Sequence, residues 1–232
     1  MAKVGWHRLS DSRHYPSSLW LTGCVSRLFS YVVRYDSGFA PNPFYGFCTL
    51  VTCKPTIRYA AKVGDWIVGT GSAAKKSQRG NRLVHAMNVS ETTDFRSYWN
   101  DPRFARKRPM RQGGRKQSCG DNIYYRNAVD SAWLQLDSFH THADGSLKPE
   151  HVARDTGTDR ILISDDYYYF GGEGPEIPAC FRDPDRYDLC RKIRQRKRQE
   201  DEGWIAEFVA WLRTIGEPGY YGRPLDWVLE DG

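Results

Sequence analysis

The side chains of this sequence that can do chemistry gather in four short segments dense in Gly, Asp, Asn and aromatic residues. In Arg34-Tyr-Asp-Ser-Gly-Phe-Ala-Pro-Asn-Pro-Phe44, Asp36 and Asn42 offer hydrogen bonds, and Phe39 or Phe44 offers a ring on which a base can stack. The same residues suit a rigid Pro-rich loop whose Asp and Asn satisfy their own backbone. In the segment from Val63 to Ser72, Gly64-Asp65 fits a tight turn into a strand. Gly69 and Gly71, beside Thr70 and Ser72, let a ligand or another backbone come close. Its glycine spacing is not that of a phosphate-binding loop, and a strand rather than a helix adjoins it. Ser118-Cys-Gly-Asp-Asn-Ile-Tyr-Tyr-Arg126 supplies a thiol, a carboxylate, an amide and two phenols. Asp121 and Asn122 suit the reading of a base edge, and Tyr124 or Tyr125 suits stacking. The fourth segment, Ile163 to Pro175, carries Asp165 and Asp166, which also read as ordinary turn residues.

Catalysis by a cysteine needs a histidine base and a third group to orient it. Cys53, Cys119 and His151 supply such parts, but spacing alone does not bring them together. The candidate catalytic set is Asp121 or Asp36 as general base, or Cys119 as nucleophile. Cys119 follows a basic stretch, and nearby cations lower a thiol pKa; a small buried cysteine at a strand start is the plainer alternative. The carboxylates serve equally as sugar-hydroxyl acceptors. Asn42, Phe44, Asp65, Thr70, Ser72, Asn122, Tyr124 and Asp165 form the candidate nucleotide- or base-binding set, expected to share one pocket with Asp36 and Asp121. The six cysteines include no CxxC pair, and His140 and His142, two apart, have weak metal spacing. No metal and no cofactor are expected.

The net charge is +6 and the excess is clustered. Arg103, Arg106, Lys107, Arg108, Arg111, Arg115 and Lys116 face one acid of their own segment, Asp101. This cluster is expected to hold phosphates and to make binding salt-sensitive through counterion release. A second run, Arg191 to Arg198, is followed by Glu200, Asp201 and Glu202, so a solvated, internally paired face describes it as well. Expected partners are nucleic acid, DNA before RNA, or a free nucleotide. Docking of a modification enzyme on residues 182–215 is a further alternative.

These residues must be positioned by a mainly β framework. Runs rich in β-branched and aromatic residues predict strands at 28–35, 47–53, 66–70, 83–89, 133–136, 161–164 and 167–170. Short helices fit Thr56 to Lys62, opened by Pro55, and Phe95 to Ala105, broken near Pro102. Trp204, Ile205, Phe208, Val209, Leu212 and Ile215 recur at helical spacing up to Gly216, predicting a helix packed on the sheet. Residues 1–26 read as an appendage, 27–180 as the main domain and 181–232 as a helical segment covering it. The longest apolar runs are far short of the roughly 20 residues that span a bilayer. No signal-peptide pattern opens the chain, so a cytoplasmic place and no membrane partner are expected.

At the four segments, and at Thr52-Cys-Lys-Pro55 and His151-Val-Ala-Arg-Asp-Thr-Gly157, the chain resembles the nucleotide modification associated domain 2 family of bacteria, phages and mobile elements. The resemblance runs from about Phe29 to Pro178. It implies a role beside enzymes that make or handle modified DNA bases, and it implies no particular reaction. The order helix, Val-Gly-Asp, strand, Gly-Thr-Gly-Ser is similar to PUA-like domains of the EVE, ASCH and YTH groups. That likeness implies an α+β fold with a curved, mostly antiparallel, barrel-like sheet and a pocket for a modified or flipped-out base. The expected function is binding of a nucleotide or base in the course of its modification, either as an enzyme or as a non-catalytic reader.

Overall fold

The computed structural model describes residues 26–75, 77–191 and 197–231. Nearly all of the expected N-terminal appendage, and most of the basic run Arg191 to Arg198, lie outside them. In chain order the elements are β1 (Leu28–Val33), β2 (Cys48–Leu50), α1 (Pro55–Ala60), β3 (Trp66–Gly71), β4 (Leu83–Asn88), β5 (Glu91–Thr93) and α2 (Phe95–Asn100). A 3-10 helix (Pro102–Lys107) and α3 (Arg115–Ser118) lead to β6 (Tyr124–Tyr125), β7 (Leu134–Gln135), α4 (Pro149–Thr156), β8 (Ile161–Ser164) and β9 (Asp166–Tyr169). Two further 3-10 helices (Gly171–Glu173 and Ala179–Phe181) precede β10 (Arg182–Asp183), β11 (Tyr187–Asp188), β12 (Lys197–Gln199), α5 (Glu202–Ile215), β13 (Gly219–Tyr220) and α6 (Leu225–Asp231).

Six strands form the main sheet in the order β12-β1-β3-β4-β9-β13, in which β1–β3 and β9–β13 are parallel pairs and the rest are antiparallel. β3 is buried at every position, as its place mid-sheet with both faces covered requires. Period-two alternation divides the side chains between two cores. Leu28, Trp66, Val68, Ala86 and Tyr168 face the side covered by α5. Phe29, Ile67, Met87 and Tyr169 face Cys48, Leu50 and Ile57 on the other.

Curvature comes from one interrupted ladder. β4 pairs with β9 as far as Asn88↔Asp166, and pairing resumes between β5 and β8 at Glu91↔Ile163. At the break the strands bend into a separate three-stranded sheet, β2-β8-β5. The α+β class is as expected. The sheet does not close: β12 and β13 remain its edges, and no barrel forms among the described residues.

The C-terminal helix packs as its spacing predicts. Asp201 caps α5 by accepting from Trp204 N at 3.1 Å. Trp204, Ile205, Phe208 and Leu212 are buried against the sheet. Asp166 anchors the far end through Arg213 at 2.6 Å. Asp165, exposed at the bend, accepts no part in that contact; its amide donates to Ser90 Oγ at 3.2 Å. No helix among the described residues is long and apolar enough to cross a membrane. Phe208 is fully buried, so Phe208→Ala should lower the unfolding free energy by about 3–5 kcal/mol, measured as a lower midpoint in a urea titration.

Candidate functional site

Pro55 opens α1, and the two residues before it both take left-handed backbone conformations, Cys53 at φ 58° and Lys54 at φ 43°. Outside glycine such angles are costly and persist where surrounding contacts enforce them. Here the Cys53 amide donates to Asp155 Oδ1 at 2.9 Å, and the Cys53 carbonyl accepts from Arg58 Nε at 2.9 Å. Arg58 is fully buried and also donates to the carbonyls of Asp155, Thr158 (3.2 Å) and Arg160 (2.8 Å), tying α1 to the end of α4.

This clamp aligns three side chains from distant segments. Cys53 Sγ lies 3.6 Å from His140 Nε2, and His140 Nδ1 lies 2.6 Å from Asp155 Oδ2. Tyr124 donates its phenol to the same Asp155 oxygen at 3.0 Å, and Arg154 Nε donates to the other at 2.9 Å. His151 Nδ1 and Gln135 Nε2 both donate to the His140 carbonyl, at 3.1 and 3.2 Å, and the His151 ring meets the His140 ring edge-on at 4.7 Å. Asp155 and His140 are buried and Cys53 is half-exposed, so only the sulfur end of the relay opens outward.

The electrostatics follow from burial opposed by partners. Burial alone would raise the Asp155 pKa, but His140 and Arg154 hold the carboxylate well below the ordinary range. Burial would lower His140, but its bonds to Asp155 and Cys53 raise it above the usual histidine value. An ionised Asp155 fixes the proton on Nδ1 and turns the Nε2 lone pair toward sulfur, the arrangement that lets histidine take a thiol proton. Among the described residues these three also form the group that could hold a metal ion. However, Asp155 and Cys53 engage opposite ring nitrogens, whose lone pairs diverge, so the donors line up as a relay rather than converging on one point.

The residues expected from sequence to do the chemistry lie elsewhere. Cys119 is a correction: its thiol is buried and donates to the Ser37 carbonyl at 2.9 Å, and burial pushes its pKa up to about 11 instead of down. Lys107 is another. It is fully buried, with Nζ 2.7–2.9 Å from Asn42 O, Asn42 Oδ1, Phe47 O and Thr49 Oγ1, and burial lowers its pKa to about 8. Its ammonium is thus engaged by protein oxygens. Asn42 and Asp121 do meet in this knot, since Asp121 accepts from Thr49 Oγ1 at 2.6 Å and Tyr98 OH at 3.0 Å. Asn42 also donates to the Cys119 carbonyl at 2.8 Å, and Asn122 to the carbonyls of Tyr98 and Phe104 at 3.3 Å each.

The other candidates are scattered. Asp36 accepts from Tyr169 OH and from Leu225 N (3.1 Å), holding α6 in place, and Phe44 stacks on Trp227 at 5.6 Å. Asp65 closes a turn with Arg27 and Lys62. Ser72 accepts from Ala74 N at 3.2 Å, and Thr70 is buried with its hydroxyl unpartnered. The close approach expected at Gly69 and Gly71 is made by protein: an added Cβ would lie 2.3 Å from the His85 ring and 2.0 Å from the Arg79 carbonyl. Of the basic cluster, Arg103 pairs with Glu91 and Asp101 at 2.9 and 2.7 Å, Arg115 with Asp231 at 2.6 Å, and Arg111 lies 3.8 Å from Asp137. Arg106, Arg108 and Lys116 are exposed and lie over the rings of Tyr45, Trp99 and Tyr220.

Fold and site together define an α+β protein with a Cys–His–Asp relay held between α1, α4 and the loop before α4. The model of the family described as nucleotide modification associated domain 2 matches residues 25–231, and the chain belongs to that family. The match takes in the C-terminal helical segment as well as the region of the sequence resemblance. No curated protein and no solved structure matches the chain.

Asp36 and Asp121 give the site region a pH signature. Burial raises each from 3.8 to about 6. The folded chain therefore binds these protons more tightly than the unfolded one. The stability they contribute is complete below pH about 4 and lost as pH rises through about 6. Between those limits the parent should lose more Tm than an Asp36→Asn, Asp121→Asn variant does. Parallel Tm profiles would show that neither carboxyl titrates there.

Proposed function

We propose that this chain is a cysteine-dependent enzyme that acts on a nucleotide or nucleic-acid base during its modification, by acyl transfer through a thioester on Cys53. The carrying observation is the alignment of Cys53 Sγ, His140 and Asp155 at 3.6 and 2.6 Å. Membership of a nucleotide modification associated family supports the substrate half of the reading.

His140 Nε2 takes the Cys53 proton as the sulfur attacks a carbonyl carbon, forming the C–S bond. The resulting imidazolium returns that proton to the departing amine or alkoxide as its bond to carbon breaks. A water then gives one proton to His140 and its hydroxide to the thioester carbon, and the released sulfur is reprotonated. Asp155 keeps its charge throughout and stabilises the imidazolium. The Cys53 amide is already bonded to Asp155, so it is not free to meet the developing oxyanion. Arg154 places a guanidinium nitrogen 4.0 Å from the sulfur, and its side chain is partly exposed, where it can answer negative charge on the substrate.

The test is chemical and needs no knowledge of the natural substrate. With iodoacetamide at pH 7, read by peptide mass spectrometry, Cys53 should be labelled faster than exposed Cys180. With 4-nitrophenyl acetate it should accumulate as an acetyl thioester. His140→Asn and Asp155→Asn should slow both reactions by about 10²-fold or more, the usual worth of a positioned base. Labelling no faster than at Cys180 and indifferent to both substitutions would overturn the relay. Protection of Cys53 by deoxynucleoside monophosphates or an oligonucleotide checks the substrate class.

A further inference from the structure

A second surface carries chemistry that the thiol does not use. On α2, Phe95 and Trp99 are four residues apart and so share a face, which covers the β6–β7 hairpin. The Trp99 ring stacks on Tyr125 with centroids 4.2 Å apart and an interplanar angle of 13°. The Arg108 guanidinium carbon lies 4.1 Å from the Trp99 ring centre. Arg108 and Tyr125 therefore both pack against this indole. One residue further along the chain, Arg126 lies 3.8 Å from the centre of the Trp133 ring, which Phe95 holds edge-on at 5.2 Å.

The charges on this surface are uncompensated. Arg108 and Arg126 are exposed, Trp99, Tyr125 and Trp133 are half-buried, and neither arginine has an ion-pair partner among the described residues. Their hydrogen bonds go to the carbonyls of Trp99 (2.5 Å) and Val129 (2.7 Å). Arg103 and Arg115, by contrast, are neutralised by Glu91, Asp101 and Asp231. Arg108 and Arg126 instead lie on aromatic rings with their charge unmet.

We propose that the Arg108–Trp99–Tyr125 column and the adjoining Arg126–Trp133 pair form a docking platform for single-stranded nucleic acid. Bases stack at the ends of the column, on the face of Tyr125 turned away from Trp99 and on the outer plane of the Arg108 guanidinium, while the two arginines meet phosphates. A duplex keeps its base faces covered, and an acidic peptide would use the cations but not the flat rings. The platform shares no side chain with the Cys53 relay, although β6 touches both: Tyr124 reaches Asp155 and its neighbour Tyr125 joins the column.

The experiment is fluorescence anisotropy across a salt series with labelled oligo-dT, oligo-U and a duplex of equal length. The parent should bind the single strands more tightly than the duplex. Arg108→Gln with Arg126→Gln should reduce the log–log salt slope by about 0.7 per lost contact. Trp99→Leu should weaken binding by on the order of 10-fold with little change of slope. The double arginine variant, altered only at exposed positions, should keep the parent's rate of Cys53 labelling, which separates this surface from the thiol chemistry. Parent affinity for a duplex equal to that for single strands, no binding by the parent, or an unchanged slope in the arginine variant would each overturn the platform.

Discussion

The carboxylate of Asp155 has no exposed surface, and a buried charge must be met by donors or it is not tolerated. Four donors meet it: the Cys53 amide, the Tyr124 phenol, the Arg154 guanidinium and the His140 ring. They come from the loop before α1, from β6, from α4 and from the loop before α4. Satisfying one anion therefore fixes the position of the sulfur, the tautomer of the imidazole and the strained turn at Cys53 together. The buried Arg58, bonded to four carbonyls, does for the backbone what Asp155 does for the side chains. Removing either would loosen a set of contacts rather than one.

Much of the framework was legible because it is local. β-branched and aromatic runs marked β1, β2, β3, β4, β7, β8 and β9 but not the short β5, β6 and β10 to β13, and the spacing of Trp204, Phe208 and Leu212 marked both α5 and its buried face. Sheet closure was not legible. It depends on which edges pair, and the bend at Val89–Ser90 opposite Ser164–Asp165 turns two strands into a second sheet. The relay is half visible in the sequence: Cys53 and His151 are residue types a thiol mechanism uses, and Asp155 sits inside a segment that carries the family resemblance. His140 stood out in sequence only for its weak metal spacing with His142, because a loop histidine becomes a base only through the partner it meets in space. His151, the candidate by sequence, instead supports the His140 carbonyl.

The basic segment 101–116 shows why a charge count misleads. A 3-10 helix repeats every three residues, so in Pro102–Lys107 the positions of Phe104 and Lys107 turn inward together while Arg103 and Arg106 turn out. The lysine then becomes an interior cross-link among Asn42, Phe47 and Thr49, and its charge is balanced at a distance by Asp121. What read as one phosphate-binding strip is thus three things: a structural cation, two arginines neutralised by Glu91, Asp101 and Asp231, and exposed cations that rest on rings without an ion pair. Cys119, lodged beside Phe44 and Trp227, similarly lost the exposure that its cationic neighbours would have exploited.

β1 lies between β3, reached by a parallel crossover, and β12, which returns from the far end of the described chain to pair Leu28 with Gln199. Neither neighbour can be recruited by a hairpin. Contacts of such wide sequence separation must be won against the entropy of closing long loops, so folding of this sheet is expected to be slow for its size. Until β12 arrives, one side of β1 presents bare amides and carbonyls flanked by Leu28 and Phe29, an invitation to pair with another copy. The nascent chain is therefore most vulnerable to self-association late in folding, after the relay's own segments have had the opportunity to assemble.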